Sequence, residues 1–169
     1  MHEKQFLQCK NPGLIKKIGL LVFLFLFAGA DLLAQRIASV SGNWHDTATW
    51  GGAAVPTAAE SVTINSGITV TINATGAECS SISFASNSAS SALNISGAFT
   101  LDVTGDISYS DPSLDGRVQT IAIGTGIVSC ANLNFVNTTT ATRDNNLTIT
   151  TGSLTVSGTI AMPGATTEN

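Results

Sequence analysis

The sequence predicts an all-β fold: a parallel β-helix (solenoid) of about four turns, each with three short strands. Three observations lead there. Apolar residues alternate with small polar ones, as at Leu93, Ile95, Phe99, Leu101, Val103, Ile107 and Tyr109, the period of strands with one buried face. The same pattern then recurs four times. A first strand reads Val62-x-Ile64, Leu93-x-Ile95, Ile121-x-Ile123 and Leu147-x-Ile149, with a glycine after each (Gly67, Gly97, Gly126, Gly152). A second strand starts at Ile68, Phe99, Ile127 and Leu154, and a third reads Ile82-x-Phe84, Ile107-x-Tyr109, Leu133-x-Phe135 and Ile160-x-Met162. First strands are offset by 31, 28 and 26 residues and third strands by 25, 26 and 27, lengths that suit one turn of a solenoid. Finally, the link from third strand to next first strand is the long one, at 85–92, 110–120 and 136–146. A β-sandwich is the competing fold, since short spaced strands also fit it; parallel pairing decides between them.

The first element is an address rather than a fold. Lys4, Lys10, Lys16 and Lys17 precede the apolar run Ile18 to Phe27, which is short for a bilayer span. Residues 1–34 are read as a signal peptide, cleaved after Ala34, with Ala30 the second choice. Export to the cell surface or medium follows, with no membrane insertion after cleavage. Without that segment the chain keeps three strong bases (Arg36, Arg117, Arg143) against nine acids, a net charge of −6. An acidic, lysine-free surface offers nothing to nucleic acid or anionic lipid.

Residues 35–60 are expected to cap the first turn, ahead of a solenoid over 61–169. Trp44, Trp50 and Pro56 carry this reading, because an open parallel edge recruits other chains unless covered. The alternative is that the two tryptophans form an aromatic platform for a sugar ring. The order N-W-x5-W-G-G, then V-P, then S-V-T-I-N-S-G-I-T-V-T-I resembles the opening of the eight-glycine domain of secreted and cell-surface proteins. It is more similar still to the start of long glycine- and threonine-rich repeat proteins that bacteria export by type IX secretion. The resemblance runs from about Asn43 onward. It implies an exported β-solenoid belonging to a large adhesin-like or polysaccharide-associated protein with a C-terminal sorting domain. Nothing after Met162 fits such a domain, so the sequence is read as truncated, its partner there being its own C-terminal continuation.

Within the repeats, the long links stack on one corner, where a rigid scaffold commonly binds. Asp111, Asp115, Arg117, Arg143 and Asp144 fall there and are the ligand-contact candidates, for a glycan or a surface protein; a solvated salt-bridge cluster is the simpler reading. Asp106, Asp111 and Asp115 are the carboxylates that glycosidic hydrolysis would need as a pair. No motif surrounds them, and no catalytic residue is assigned. Asp111-Pro112-Ser113-Leu114-Asp115-Gly116 lacks the alternating oxygen ligands of a calcium loop, so neither metal nor cofactor is expected. Cys79 and Cys130 each stand three residues before a third strand, with Thr104 at that place between them. They fall two turns apart, about 10 Å by strand spacing, too far for a disulfide. Inward ladders are expected as Ile64–Ile95–Ile123–Ile149 and Phe84–Tyr109–Phe135–Met162. The function read from all this is a non-catalytic structural or adhesin-like solenoid outside the cell. The alternative is the N-terminal part of a polysaccharide-processing β-helix enzyme.

Overall fold

The computed structural model describes residues 34–136 and 142–163. The signal-peptide reading of the first 33 residues lies outside them. An opening circuit holds β1 (Gln35–Ala38), β2 (Gly42–Asn43), a 3-10 turn (Thr47–Trp50) and β3 (Ser61–Ile64). Four circuits follow: β4 (Thr69–Ile72), β5 (Ala77–Cys79) and β6 (Ser81–Phe84); β7 (Ser91–Ile95), β8 (Thr100–Val103) and β9 (Ile107–Ser108). Then come β10 (Val118–Ile123), β11 (Ile127–Cys130) and β12 (Leu133–Asn134), and last β13 (Asp144–Ile149), β14 (Ser153–Val156) and β15 (Ile160–Ala161).

These strands stack into three sheets, ordered β1-β3-β6-β9-β12-β15, β2-β4-β7-β10-β13 and β5-β8-β11-β14. Every neighbouring pair is parallel. The molecule is therefore a β-solenoid of about five turns, the first of which has the 3-10 turn in place of a third-sheet strand. Parallel pairing excludes the sandwich, whose sheets are antiparallel.

The register corrects the expected first turn. Val62 and Ile64 pair with Ile82 and Phe84 in the first sheet, whereas Val70 and Ile72 stand over Leu93 and Ile95. The inward column is thus Ile72–Ile95–Ile123–Ile149, with Ile72 where Ile64 was expected. Ile68 likewise precedes β4 rather than opening a second strand, a place taken by β5. The cause is local: two alternating strands, β3 and β4, sit back to back across the four residues 65–68. Gly67 turns the chain there at φ 76°, a conformation glycine adopts without penalty. Alternation marks both segments as strands, and pairing alone assigns each to its column.

The other columns fall as expected. Phe84 stacks on Tyr109 at 5.3 Å between ring centroids and Tyr109 on Phe135 at 4.9 Å, spacings set by the strand separation of about 4.8 Å. Cys79 stands over Val103, and β8 pairs with β11 so that Cys130 lies below Val103. The two thiols are buried and unpaired, two turns apart. The residue between them is Val103 rather than Thr104, because Thr104-Gly105-Asp106 makes that corner one residue longer than the matching corners at 80–81 and 131–132. Burial pushes the Cys79 thiol up to about 12. It also raises Cys130, with the Asp106 charge adding to it.

Close stacking also decides two glycines. A Cβ on Gly126 would overlap the Ile95 side chain and stand 2.6 Å from the Phe99 carbonyl oxygen; one on Gly152 would meet the Gly126 carbonyl oxygen and Ile123. Gly126→Ala is therefore expected to lower stability by about 1–3 kcal/mol through overpacking. Ile95→Ala, which opens a cavity, is expected to cost about 2–5 kcal/mol. Urea unfolding followed by far-UV circular dichroism measures both. The thiols supply a second test. In the folded chain they hold their protons above the ordinary thiol range, so their contribution is complete below the unfolded pKa and is lost as pH rises toward the folded one. The urea midpoint is expected to fall between about pH 8 and about pH 11, and to fall less in Cys79→Ala. Neither thiol should react with a disulfide reagent until the chain unfolds.

Candidate binding corner

One corner joins the first sheet to the second in every turn. Its connections lengthen along the stack: 39–41, 65–68, 85–90, 109–117 and 135–143 have three, four, six, nine and nine residues. Residues 137–141 of the last connection lie outside the described part. Consecutive connections bond directly to one another. The Ser88 amide donates to Ser66 Oγ, Ser113 N–H to the Asn87 carbonyl and Gly116 N–H to the Thr142 carbonyl, while the amide of Val118, first residue of β10, donates to Ser90 Oγ. The corner is thus one continuous surface, as the positions of the long links predict.

Beneath it runs a column of inward polar side chains, buried at Ser91 and Gln119 and half-buried at Asn145. Ser91, Gln119 and Asn145 occupy one register position, two residues before the inward Leu93, Ile121 and Leu147. Inward amides at that depth must be hydrogen-bonded or destabilise the fold. Gln119 is fully buried; its amide donates to the Ala85 carbonyl and Ser110 Oγ, and its oxygen accepts from Ser110 N–H. Ser91 Oγ donates to the Asn65 carbonyl and accepts from Asn87 and Gly67. The Asn145 amide donates to the Val136 carbonyl. Gln119 and Asn145 therefore each tie the start of a connection to the strand that follows it, while Ser91 ties Asn87 of the connection before it to Asn65 and Gly67 of the connection one turn earlier. These residues escaped the reading of the sequence, although a signal exists: a polar residue recurs at an inward slot in three successive turns.

Of the ligand-contact candidates, Arg143 gathers two. Its guanidinium lies 2.9 Å from Asp115 and 3.6 Å from Asp111, bridging successive connections. Arg117 and Asp144 are exposed at the same corner and meet through the backbone, Asp144 N–H donating to the Arg117 carbonyl. A hollow of about 310 Å³ opens beside them, lined by Phe135, Arg143, Asn145 and Met162 among others.

Asp106 lies apart from this group. Asn132 Nδ2 donates to one of its oxygens at 2.7 Å and Asn134 Nδ2 to the other at 3.4 Å. That set belongs to an outward ladder on the first sheet, which also links Asn134 to Ser108 and Thr159 to Asn132. The three carboxylates thus fall into two bonded sets, one on amides and one on a guanidinium. Among the described residues no group of three or more His, Cys, Asp or Glu is placed to hold a metal.

At the opposite end, Trp44 and Trp50 are 0% and 3% exposed and pack edge to face at 5.1 Å, with Trp50 Nε1 donating to the Trp44 carbonyl. Rings buried to this degree present no face to a sugar. Pro56 is buried beside this segment's remaining turns. Arg36 pairs with Glu60, whose carboxyl its hydrogen bond holds below the ordinary value. In comparisons with known proteins, no family model, no curated protein and no solved structure matches the chain.

The two layers of the corner should respond differently to substitution. Gln119→Leu strands the Ala85 carbonyl and the Ser110 amide in the interior and is expected to cost about 2–4 kcal/mol. Arg143→Ala removes partly exposed ion pairs and is expected to cost about 1 kcal/mol or less. Denaturant unfolding of the two variants checks the order, and a reversal would mean that the ion pairs hold the connections in place.

Proposed function

We propose that this chain is a non-catalytic scaffold displayed outside the cell, adhesin-like or structural, which binds a glycan or a surface protein through the stacked corner. One observation carries the reading: connections that grow from three to nine residues collect on a single edge of a rigid parallel stack. Long connections on such a scaffold are where recognition residues sit, because the frame holds them without contributing its own contacts. Asp111, Asp115, Arg117, Arg143 and Asp144 supply charged and hydrogen-bonding groups there. A solenoid fold is consistent with a structural or adhesin-like role.

The remaining parts of the reading rest on the sequence. Residues 1–34 act as a signal peptide, and the segment with Trp44, Trp50 and Pro56 caps the first turn, in keeping with the burial of both rings. The likeness to eight-glycine-type and type IX-exported repeat proteins points to the same location. The hydrolase alternative gains no support from the carboxylates, since each of Asp106, Asp111 and Asp115 is engaged by an amide or a guanidinium.

Expression of the full chain in a bacterial host is expected to deliver a product beginning at Gln35 outside the inner membrane, as read by N-terminal sequencing of cell fractions. The exported protein should bind a member of a panel of surface polysaccharides and matrix proteins. Asp115→Ala combined with Arg117→Ala, both at exposed positions, should weaken that binding at least roughly tenfold while stability falls by no more than about 1 kcal/mol, the cost of the Asp115–Arg143 pair. Retention of unprocessed chain in the cytoplasm, or binding untouched by the double substitution, would count against the proposal.

A further inference from the structure

The connections of the stacked corner are the segments of this fold most open to endopeptidases, which cut exposed links rather than paired strands. Residues 113–117 are exposed without a break. Lysine is among the commonest residues of proteins and is mostly exposed, yet none occurs from Ile18 to Asn169. Proteases of trypsin specificity take lysine or arginine, whose cation meets a carboxylate at the base of the specificity pocket. To such an enzyme the sequence after Lys17 offers three residues, Arg36, Arg117 and Arg143.

Each of the three is closed. The Arg36 side chain is 21% exposed and paired with Glu60. That of Arg143 is 18% exposed and held by Asp115 and Asp111. Arg117 is exposed, and there the backbone is closed instead. Its carbonyl accepts from Asp144 N–H at 3.2 Å. Across the cleavable bond, the Val118 amide donates to Ser90 Oγ at 3.1 Å, and on the near side Gly116 N–H donates to the Thr142 carbonyl at 2.9 Å. Two residues beyond Arg117 stands Gln119, fully buried and bonded to Ala85 and Ser110. A protease must draw both sides of the bond into its cleft, so cutting after Arg117 requires local opening that pulls this anchor from the interior. We propose that the corner is shielded from endopeptidases of trypsin specificity by two means: exclusion of lysine from its exposed connections, and anchoring of the bond after Arg117 by Ser90 and Gln119. Long connections thereby stay exposed in the presence of such enzymes. The shielding requires no ligand at the corner, and its test is separate from the binding test above.

The purified full chain is incubated with trypsin, and loss of intact chain and the new ends are followed by gel electrophoresis and mass spectrometry. Residues 1–33 are common to every variant, and cuts after their lysines are counted apart. The folded chain is expected to show no cut within residues 34–163, whereas a synthetic peptide of residues 112–123 is cut after Arg117. Leu114→Lys places a cleavable residue at a 50% exposed position of the connection, and this variant should be cut there at least roughly tenfold faster than the parent chain. Gln119→Leu should gain a cut after Arg117 by a similar factor, water adding across the Arg117–Val118 bond to leave a carboxylate and an ammonium end. If that variant loses its β-sheet signal, Ser90→Ala, which removes the Val118 bond alone, carries this arm. A folded parent cut after Arg117 as fast as the peptide, a peptide as resistant as the folded chain, a Leu114→Lys variant as resistant as the parent, or an unchanged rate in the arm that releases Val118 or Gln119 would each overturn the proposal.

Discussion

Parallel pairing between successive turns is the constraint from which the rest of this structure follows. Each strand shares its register with those above and below, so whatever faces inward in one turn faces inward in all. The spacing of about 4.8 Å then makes columns of like side chains: Val70–Leu93–Ile121–Leu147, Ile72–Ile95–Ile123–Ile149, and the ring stack Phe84–Tyr109–Phe135. Apolar neighbours of similar size fill each column, and this allows a chain with few charges and small outward residues to bury a continuous core. The same spacing leaves no room for a Cβ at Gly126 or Gly152, and it keeps Cys79 and Cys130 apart with Val103 between them.

Register also explains what holds the described parts of the long connections. A connection that leaves the stack must return its backbone groups to partners, since buried unpaired carbonyls and amides are costly. Ser91, Gln119 and Asn145 do this from inside, one per turn, and Ser66, Ser86 and Ser90 do it from outside by bonding neighbouring connections. The ion pairs of Arg143 lie over this buried layer.

The first and last described circuits differ in what the inward columns meet. In the first turn Trp44 and Trp50 are buried edge to face, beside a 3-10 turn that ends at Gly51. In the last circuit the columns run on into Leu147, Ile149, Leu154, Val156 and Ile160, with no charge on the strands after Asp144. A parallel stack has no intrinsic length, so its limits are set by what covers the ends.

Much of this was determined by the sequence. Period-2 alternation and recurrence at 25–28 residues over most of the chain pointed to stacked turns, and the parallel pairing then excluded the sandwich that short spaced strands also fit. The third-strand column, the unpaired thiols and the shared corner all follow from counting along the chain. Tertiary structure decided the rest. Val62–Ile64 and Val70–Ile72 carry the same alternation, and only pairing with Ile82 and Leu93 told them apart, since alternation records which face is buried and not which sheet it joins. Gln119 and Asn145 read as residues of the long links until pairing placed them at the starts of β10 and β13, at an inward register position. That Arg143 serves Asp111 and Asp115 while Asp106 belongs to Asn132 and Asn134 depended on which connections touch, a matter of three-dimensional adjacency that residue spacing does not encode.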